Sequence, residues 1–184
     1  MTVLNIAMVG SDDLAKSIAK ATDQRDVHTY VHKESGADGP RILSIIRPAK
    51  MPERIRPFFN ALCAARVGLI EVTEINAAFG EVLVGFASAG VEKGIMVINP
   101  PEGEWIDEDQ VKGFLAQAGL KSWTQCGNDG IEIRHALYGL MDEISGDLES
   151  AKKEPLVVPI DQHFNVKGIG LVAIGYVQSG SVSV

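Results

Sequence analysis

From residue 4 to residue 144, short apolar runs alternate with stretches whose apolar residues recur at helical spacing, and that rhythm leaves few folds open. Residues 4–9 read as a short buried strand that ends at Gly10 and leads into a helix over 12–18. Residues 28–33 and 41–46 form a strand pair joined by the turn-rich segment 34–40, which suits a hairpin better than a crossover and predicts one antiparallel edge. Residues 51–65 place Ile55, Phe58, Phe59, Leu62 and Cys63 on one helical face, with Pro52 near the start and Pro57 expected to delay it. The runs 67–72, 78–89, 94–98 and 107–118 then repeat strand, helix, strand, helix, before a short strand at 122–126 and a last helix at 131–144. Strands alternating with helices predict an α/β architecture: a mostly parallel, doubly wound sheet with helices on both faces. In such sheets ligands sit beyond the carboxyl ends of the strands.

The pattern changes after Gly146. Residues 147–154 are polar and charged, and from Pro155 onward strand formers dominate, with Gly168, Gly170, Gly175 and Gly180 as bend points. A domain boundary is therefore expected, dividing an α/β domain over 1–148 from a smaller all-β piece over 155–184. Runs at 156–160, 164–166, 170–177 and 181–184 supply three or four short strands, whereas a closed barrel takes roughly five to eight. The expectation is the opening part of a barrel, with strand edges such as 181–184 left unpaired and open to another chain.

Composition narrows the function classes. With 46% apolar and 22% charged residues, the 184-residue chain is of the ordinary globular kind. A net charge of −7 argues against binding nucleic acid through general electrostatics. Arg47, Lys50, Arg54 and Arg56 are the one clear basic cluster, read first as a solvated helix face. Cys63 and Cys126 lie far apart with no zinc-ligand spacing around them. No apolar run reaches the roughly 18 residues of a membrane span, and a cytoplasmic setting is expected. His28, His32, His135 and His163 look isolated and read as surface or satisfied histidines rather than ligands, and Trp105 and Trp123 read as packing residues.

The most chemically suggestive stretch is Gly10-Ser11-Asp12-Asp13-Leu14-Ala15-Lys16-Ser17. It fits the phosphate-loop pattern G-x-x-x-x-G-K-[ST] except that Ala15 replaces the second glycine, and it lies between a strand and a helix, as the motif requires. In that motif, backbone N–H groups face the phosphates, the lysine (Lys16) reaches the terminal phosphates, and the hydroxyl (Ser17) meets Mg²⁺. A Cβ at Ala15 costs about 1–2 kcal/mol if the position demands a positive φ. Asp12 and Asp13 place like charges where an anion would sit, and read alternatively as helix caps. Read alone, the stretch favours a loop that keeps its shape and has lost its anion.

A family resemblance rests on the end of the chain. Phe164-Asn165-Val166-Lys167-Gly168-Ile169-Gly170-Leu171-Val172, continued as Gly175-Tyr176-Val177-Gln178-Ser179-Gly180-Ser181-Val182, resembles the start of the second domain of elongation factor Tu. That pattern runs aromatic, x, apolar, x, Gly, x, Gly, x, Val, and later Gly, x, Val, x, x, Gly. With the phosphate-loop remnant before it, the chain looks most like the branch of translational GTPases that contains the selenocysteine-specific elongation factor and its archaeal paralogues. The resemblance covers nearly the whole chain, weakly in the first domain. It implies a G-domain-like first unit, with GTP and Mg²⁺ as cofactors and Gly10, Lys16, Ser17, Asn99 and Glu102 as nucleotide-site positions, Ser17 being the one for Mg²⁺.

Carried over residue by residue, the family's motifs are incomplete. The Asp-x-x-Gly element should follow the strand 42–46, where Ile46-Arg47-Pro48-Ala49-Lys50 stand, and the histidine that positions the attacking water falls at Lys50. The Asn-Lys-x-Asp guanine motif falls on Asn99-Pro100-Pro101-Glu102, whose ends alone imitate it; a proline-shaped turn explains the same residues. The first switch would have to fit within 22–27 and is in effect deleted.

Three functions are compatible with these residues. One is a binding or regulatory translation-factor homologue that does not hydrolyse GTP. The second is a factor that still binds GTP through a distorted loop, any enzymatic activity then being a GTPase. The third is an unrelated small enzyme using Asp12, Asp13, Glu71 and Glu74 as acids, for which no nucleophile and base stand at a recognisable spacing. The partners implied by the resemblance are transfer RNA, the ribosome or another translation factor, with self-association through unpaired barrel strands as a further expectation.

Overall fold

A computed structural model describes residues 2–37, 39–51 and 53–182, in two compact units, Met1–Met141 and Asp142–Val184. The sequence expectations that touch Asp38, Pro52, Ser183 and Val184 lie outside the described residues.

The first unit contains β1 (Thr2–Val9), α1 (Asp12–Ile18), β2 (Lys20–Gln24), β3 (Val27–Gly36), β4 (Gly39–Pro48), α2 (Ile55–Ala64), β5 (Val67–Val72), α3 (Ala77–Ser88), β6 (Gly94–Ile98), α4 (Glu108–Gln117), β7 (Thr124–Cys126) and most of α5 (Gly130–Glu143). Its strands form one sheet in the order β2-β3-β4-β1-β5-β6-β7. From β4 to β7 neighbouring strands are parallel; β2, β3 and β4 are antiparallel to one another. The sheet is therefore mostly parallel with an antiparallel edge, as the hairpin reading predicts. The edge is one strand wider than expected, because Lys20–Gln24, which overlaps the start of the segment 22–27 read as a deleted switch, pairs with β3.

The alternation of strands and helices sets where the core lies. All six residues of β5 are buried, as expected of a strand covered on both faces. On one face α5 meets α1 and the β3–β4 hairpin: the Arg134 guanidinium donates to the Ser17 and Ile18 carbonyls at 3.1 and 2.9 Å, and Arg41 donates to the Tyr138 carbonyl at 3.0 Å. On the other, Phe58 of α2 meets Phe86 of α3 edge-on at 5.7 Å, and Phe79 of α3 meets Phe114 of α4 at 6.3 Å. Trp123 completes that layer, edge-on to Phe86 at 4.9 Å, with its indole N–H donating to the Val91 carbonyl at 3.2 Å. Its ring lies so close over the sheet that a Cβ at Gly68 would stand 2.2 Å from it. The helix α2 starts at Ile55 rather than at residue 51, and this late start puts Pro57 in the first turn, where its missing N–H costs nothing.

In the second unit a helix, α6 (Ser145–Ala151), runs into the stretch 147–154 that the sequence reads as polar and charged. Two antiparallel strands follow, β8 (Ile160–Val166) and β9 (Gly170–Gly175), with one isolated bridge between Val157 and Ser179. Among the described residues fewer strands form than the apolar runs predict, and Ser181 and Val182 lie outside any strand. The turn between β8 and β9 requires its glycines, since Gly168 and Gly170 have φ of 85° and 101°, where a side chain is strained. Together the strands make the start of a barrel.

Candidate functional site: the crevice at the strand ends

The stretch that matches the phosphate-loop pattern does not form a wrapped loop. The helix α1 begins at Asp12, only two residues after β1, and Ser11 is its N-cap: its hydroxyl accepts the Leu14 N–H at 3.1 Å. Ser11 therefore caps α1, and Asp12 and Asp13 sit in the first turn, where their charge favours the helix N-terminus. Ala15 is a fully buried helical residue whose N–H bonds to the Ser11 carbonyl at 3.3 Å, and no non-glycine residue among those described has positive φ. The strain anticipated for Ala15 does not arise, because the loop has wound into helix.

Glu71, at the carboxyl end of β5, is 9% exposed. One of its carboxylate oxygens accepts the Ser11 N–H at 2.5 Å, and the other accepts an N–H of the Asn99 side chain at 2.7 Å. Gly10 is needed for this approach, since a Cβ there would lie 2.8 Å from Cβ of Glu71. Around this centre, the Arg47 guanidinium donates to the Gly10 carbonyl at 2.7 Å and stands 3.4 Å from His28 Nδ1. Tyr30 donates its hydroxyl to Asp12, whose other oxygen pairs with the Lys16 ammonium.

These contacts set the acid–base state of the groups involved. The Lys16 ammonium, then the Tyr30 hydroxyl, hold the Asp12 carboxyl below its usual range, and Asp12 in turn raises the Lys16 pKa. Burial, then the Asp12 contact, push the Tyr30 hydroxyl up to about 12. Burial, with Glu132 accepting the Cys126 thiol at 3.4 Å, pushes that thiol up to about 11, so it is a poor nucleophile at neutral pH.

Of the five nucleotide-site positions, the fold brings Gly10 and Asn99 together, through Glu71. Lys16 is 52% exposed and ion-paired with Asp12. The Ser17 hydroxyl donates back to the Leu14 carbonyl at 2.7 Å, and Glu102 is exposed, outside the network. GTP with Mg²⁺ needs loop N–H groups facing the phosphates, a lysine reaching them and a hydroxyl on the metal. Here the Ser11 and Leu14 N–H groups, the ammonium and the hydroxyl are each engaged within the chain, and Asp12, Asp13 and Glu71 crowd the crevice with negative charge. The residues present do not fit that group in this arrangement.

Sequence reasoning named Glu71 only as a possible acid and missed Tyr30 and the role of Arg47. A signal for Glu71 was present, as the one charge in the apolar run 67–72. The basic cluster is not one helix face: Arg47 belongs to β4 and points into the crevice, while Arg54 pairs with Asp26 at 3.1 Å. His32 is a satisfied histidine, as expected: its Nδ1 stands 3.0 Å from the Tyr138 hydroxyl. Trp123 packs as expected, but Trp105 is 81% exposed and lines a cleft of about 490 Å³ beside the crevice, together with Ile98, Pro100, Ile106, Glu108 and Cys126. None of the five nucleotide-site positions lines that cleft.

Comparison with known proteins places the fold. A bacterial selenocysteine-specific elongation factor superimposes over 98% of this chain and 35% of its own, with a TM-score of 0.67 and 21% identity. Elongation factor SelB of Methanococcus maripaludis, solved with the GTP analogue GppNHp, matches 98% of this chain and 43% of its own, with a TM-score of 0.61 and 17% identity. This chain has the translation-factor fold of these proteins: a mixed α/β unit with a mostly parallel sheet, followed by the first strands of a barrel. An uncharacterized protein of Methanocaldococcus jannaschii is 28% identical over 185 residues, covering the whole of this chain and 56% of the relative. The chain thus spans about half the length of that relative. No family model matches the sequence.

Proposed function

We propose that this protein is a translation-factor-related scaffold with a degenerate G domain, one that binds or regulates without hydrolysing GTP. The observation that carries this reading is the Glu71 carboxylate on the Ser11 N–H, in a turn where α1 begins four residues before the motif lysine. A group that takes an internal anion has no need of an external one, and the absence of an acid or histidine at residues 46–50 removes the means of activating water on this alignment. Transfer RNA, the ribosome or another translation factor, met in the cytoplasm, is the partner class this reading implies. The elongation-factor-like order of the two units supports it.

Calorimetric titration of GTP, GDP and ATP, with and without Mg²⁺, tests the proposal. The expected result is no heat with any nucleotide. Guanine-selective binding that needs Mg²⁺ and disappears in Lys16→Ala would overturn it in favour of a factor that binds GTP through a distorted loop.

A further inference from the structure

The cleft beside α4 is unlike the crevice, because it is open and the segment leading into α4 beside it is acidic. Between β6 and α4 the chain reads Pro101-Glu102-Gly103-Glu104-Trp105-Ile106-Asp107-Glu108-Asp109. Part of this acidity has a local explanation: Asp107 caps α4, accepting the Asp109 and Gln110 N–H groups at 2.9 and 3.3 Å, and Glu108 pairs with Lys112 at 3.6 Å. Glu102 and Glu104 have no such role. Both are exposed, ahead of the helix, on either side of a glycine with φ of 84°.

Trp105 stands between these acids with 81% of its surface exposed, while its neighbour Ile106 is 8% exposed and anchors the segment. An indole held open over a cleft beside an acidic segment offers two things that one cation satisfies together. Its face attracts a guanidinium or ammonium, and the flanking carboxylates pair with that charge. Arginine fits better than lysine, because the planar guanidinium stacks on the ring and still presents N–H groups at its edge. The same surface repels a phosphate backbone.

We propose that this cleft is a docking site for an arginine-bearing basic segment of a protein partner, with Trp105 as the anchor and Glu102 and Glu104 supplying the charge. Aromatic anchors dominate such contacts, while exposed charges mainly set the encounter rate and its salt dependence.

The full chain is titrated with a synthetic peptide of alternating arginine and glycine, with the glutamate-for-arginine version of that peptide, and with oligouridylate RNA. Fluorescence reports on Trp105, since Trp123 is buried, and amide chemical shifts locate the contact. The arginine peptide is expected to shift amides of residues 98–108 and 125–127, and its affinity to fall about tenfold or more in Trp105→Ala. A several-fold loss is expected in the double variant Glu102→Gln, Glu104→Gln, with binding weakening as salt is raised. Both variants change exposed side chains, and unchanged melting curves confirm that each is folded. Shifts confined to other residues, an unaltered affinity in Trp105→Ala, or oligouridylate shifting the same amides would each overturn the proposal.

Discussion

Glu71 is the residue on which the reading of the crevice turns, and two substitutions separate its possible contributions. Its carboxylate accepts from Ser11 and Asn99 at 2.5 and 2.7 Å, and hydrogen bonds to a charged group contribute about 1.5–3 kcal/mol each. Glu71→Gln keeps the volume and one acceptor, and its new NH₂ faces either the Ser11 N–H or the Asn99 amide. The second clash is relieved if Asn99 turns its amide over and accepts, so the loss is that of charge assistance, about 1–2 kcal/mol. Glu71→Ala has no such remedy. It leaves both donors without their partner in a largely buried place and opens a small void, for an expected loss of about 2–4 kcal/mol. Urea unfolding followed by circular dichroism measures both, the shift in midpoint at constant slope giving the loss. Alanine is expected to cost clearly more than glutamine, and Asn99→Ala in the Glu71→Ala background to cost less than in the parent. A neutral or stabilising Glu71→Ala would refute the reasoning, because the carboxylate would then be no structural anchor.

Four further outcomes follow from the structure. Gly68→Ala drives a Cβ into the Trp123 ring at 2.2 Å, so overpacking and a weakened indole hydrogen bond are expected to cost about 2–4 kcal/mol in urea unfolding. Ser11→Ala removes the cap of α1 and is expected to cost about 1 kcal/mol; a neutral result would show that the start of α1 does not depend on it. Burial, then the charge of Arg134, lower the pKa of His32 in the folded state below 6.5, so the unfolded chain binds its proton first. This histidine's contribution is full above pH 6.5 and is lost as pH falls toward the lowered value; the slope of stability against pH over that window should flatten in His32→Gln. In the second unit, β8 and β9 each have an unpaired edge among the described residues, and Phe164 and Ile174 are exposed on the same face. Light scattering is expected to show mass rising with concentration, and less so in Phe164→Lys; a constant monomer mass would exclude association through these strands.

Much of the fold was legible because it is written in local periodicity. The six-residue apolar run that became β5, the helical spacing of Phe58 and Leu62 in α2, and the turn chemistry between β3 and β4 are properties of neighbouring residues, and they read true. The glycines at 168 and 170 likewise announced a turn that only positive φ closes. Less was legible where two states compete locally. Lys20–Gln24 carries little apolar signal, and becomes a strand because β3 offers it an open edge.

The candidate site was the least legible part, since its contacts join residues far apart in sequence. The sequence by itself determined that a strand ends at Gly10 and a helix follows with Lys16 and Ser17 on it. It also determined that no carboxylate or histidine stands at 46–50. Tertiary structure alone decided whether residues 11–15 wrap an anion or wind into helix. That choice depends on what lies opposite the Ser11 N–H, and there β5, sixty residues on, delivers the Glu71 carboxylate. It also decided the two tryptophans: Trp123 lands over Gly68 and Gly94, where a flat ring fills the space two absent side chains leave, while Trp105 falls on a rim with nothing above it among the described residues. Burial depends on which surfaces the fold brings together, and an aromatic residue's own neighbours in sequence carry no record of that.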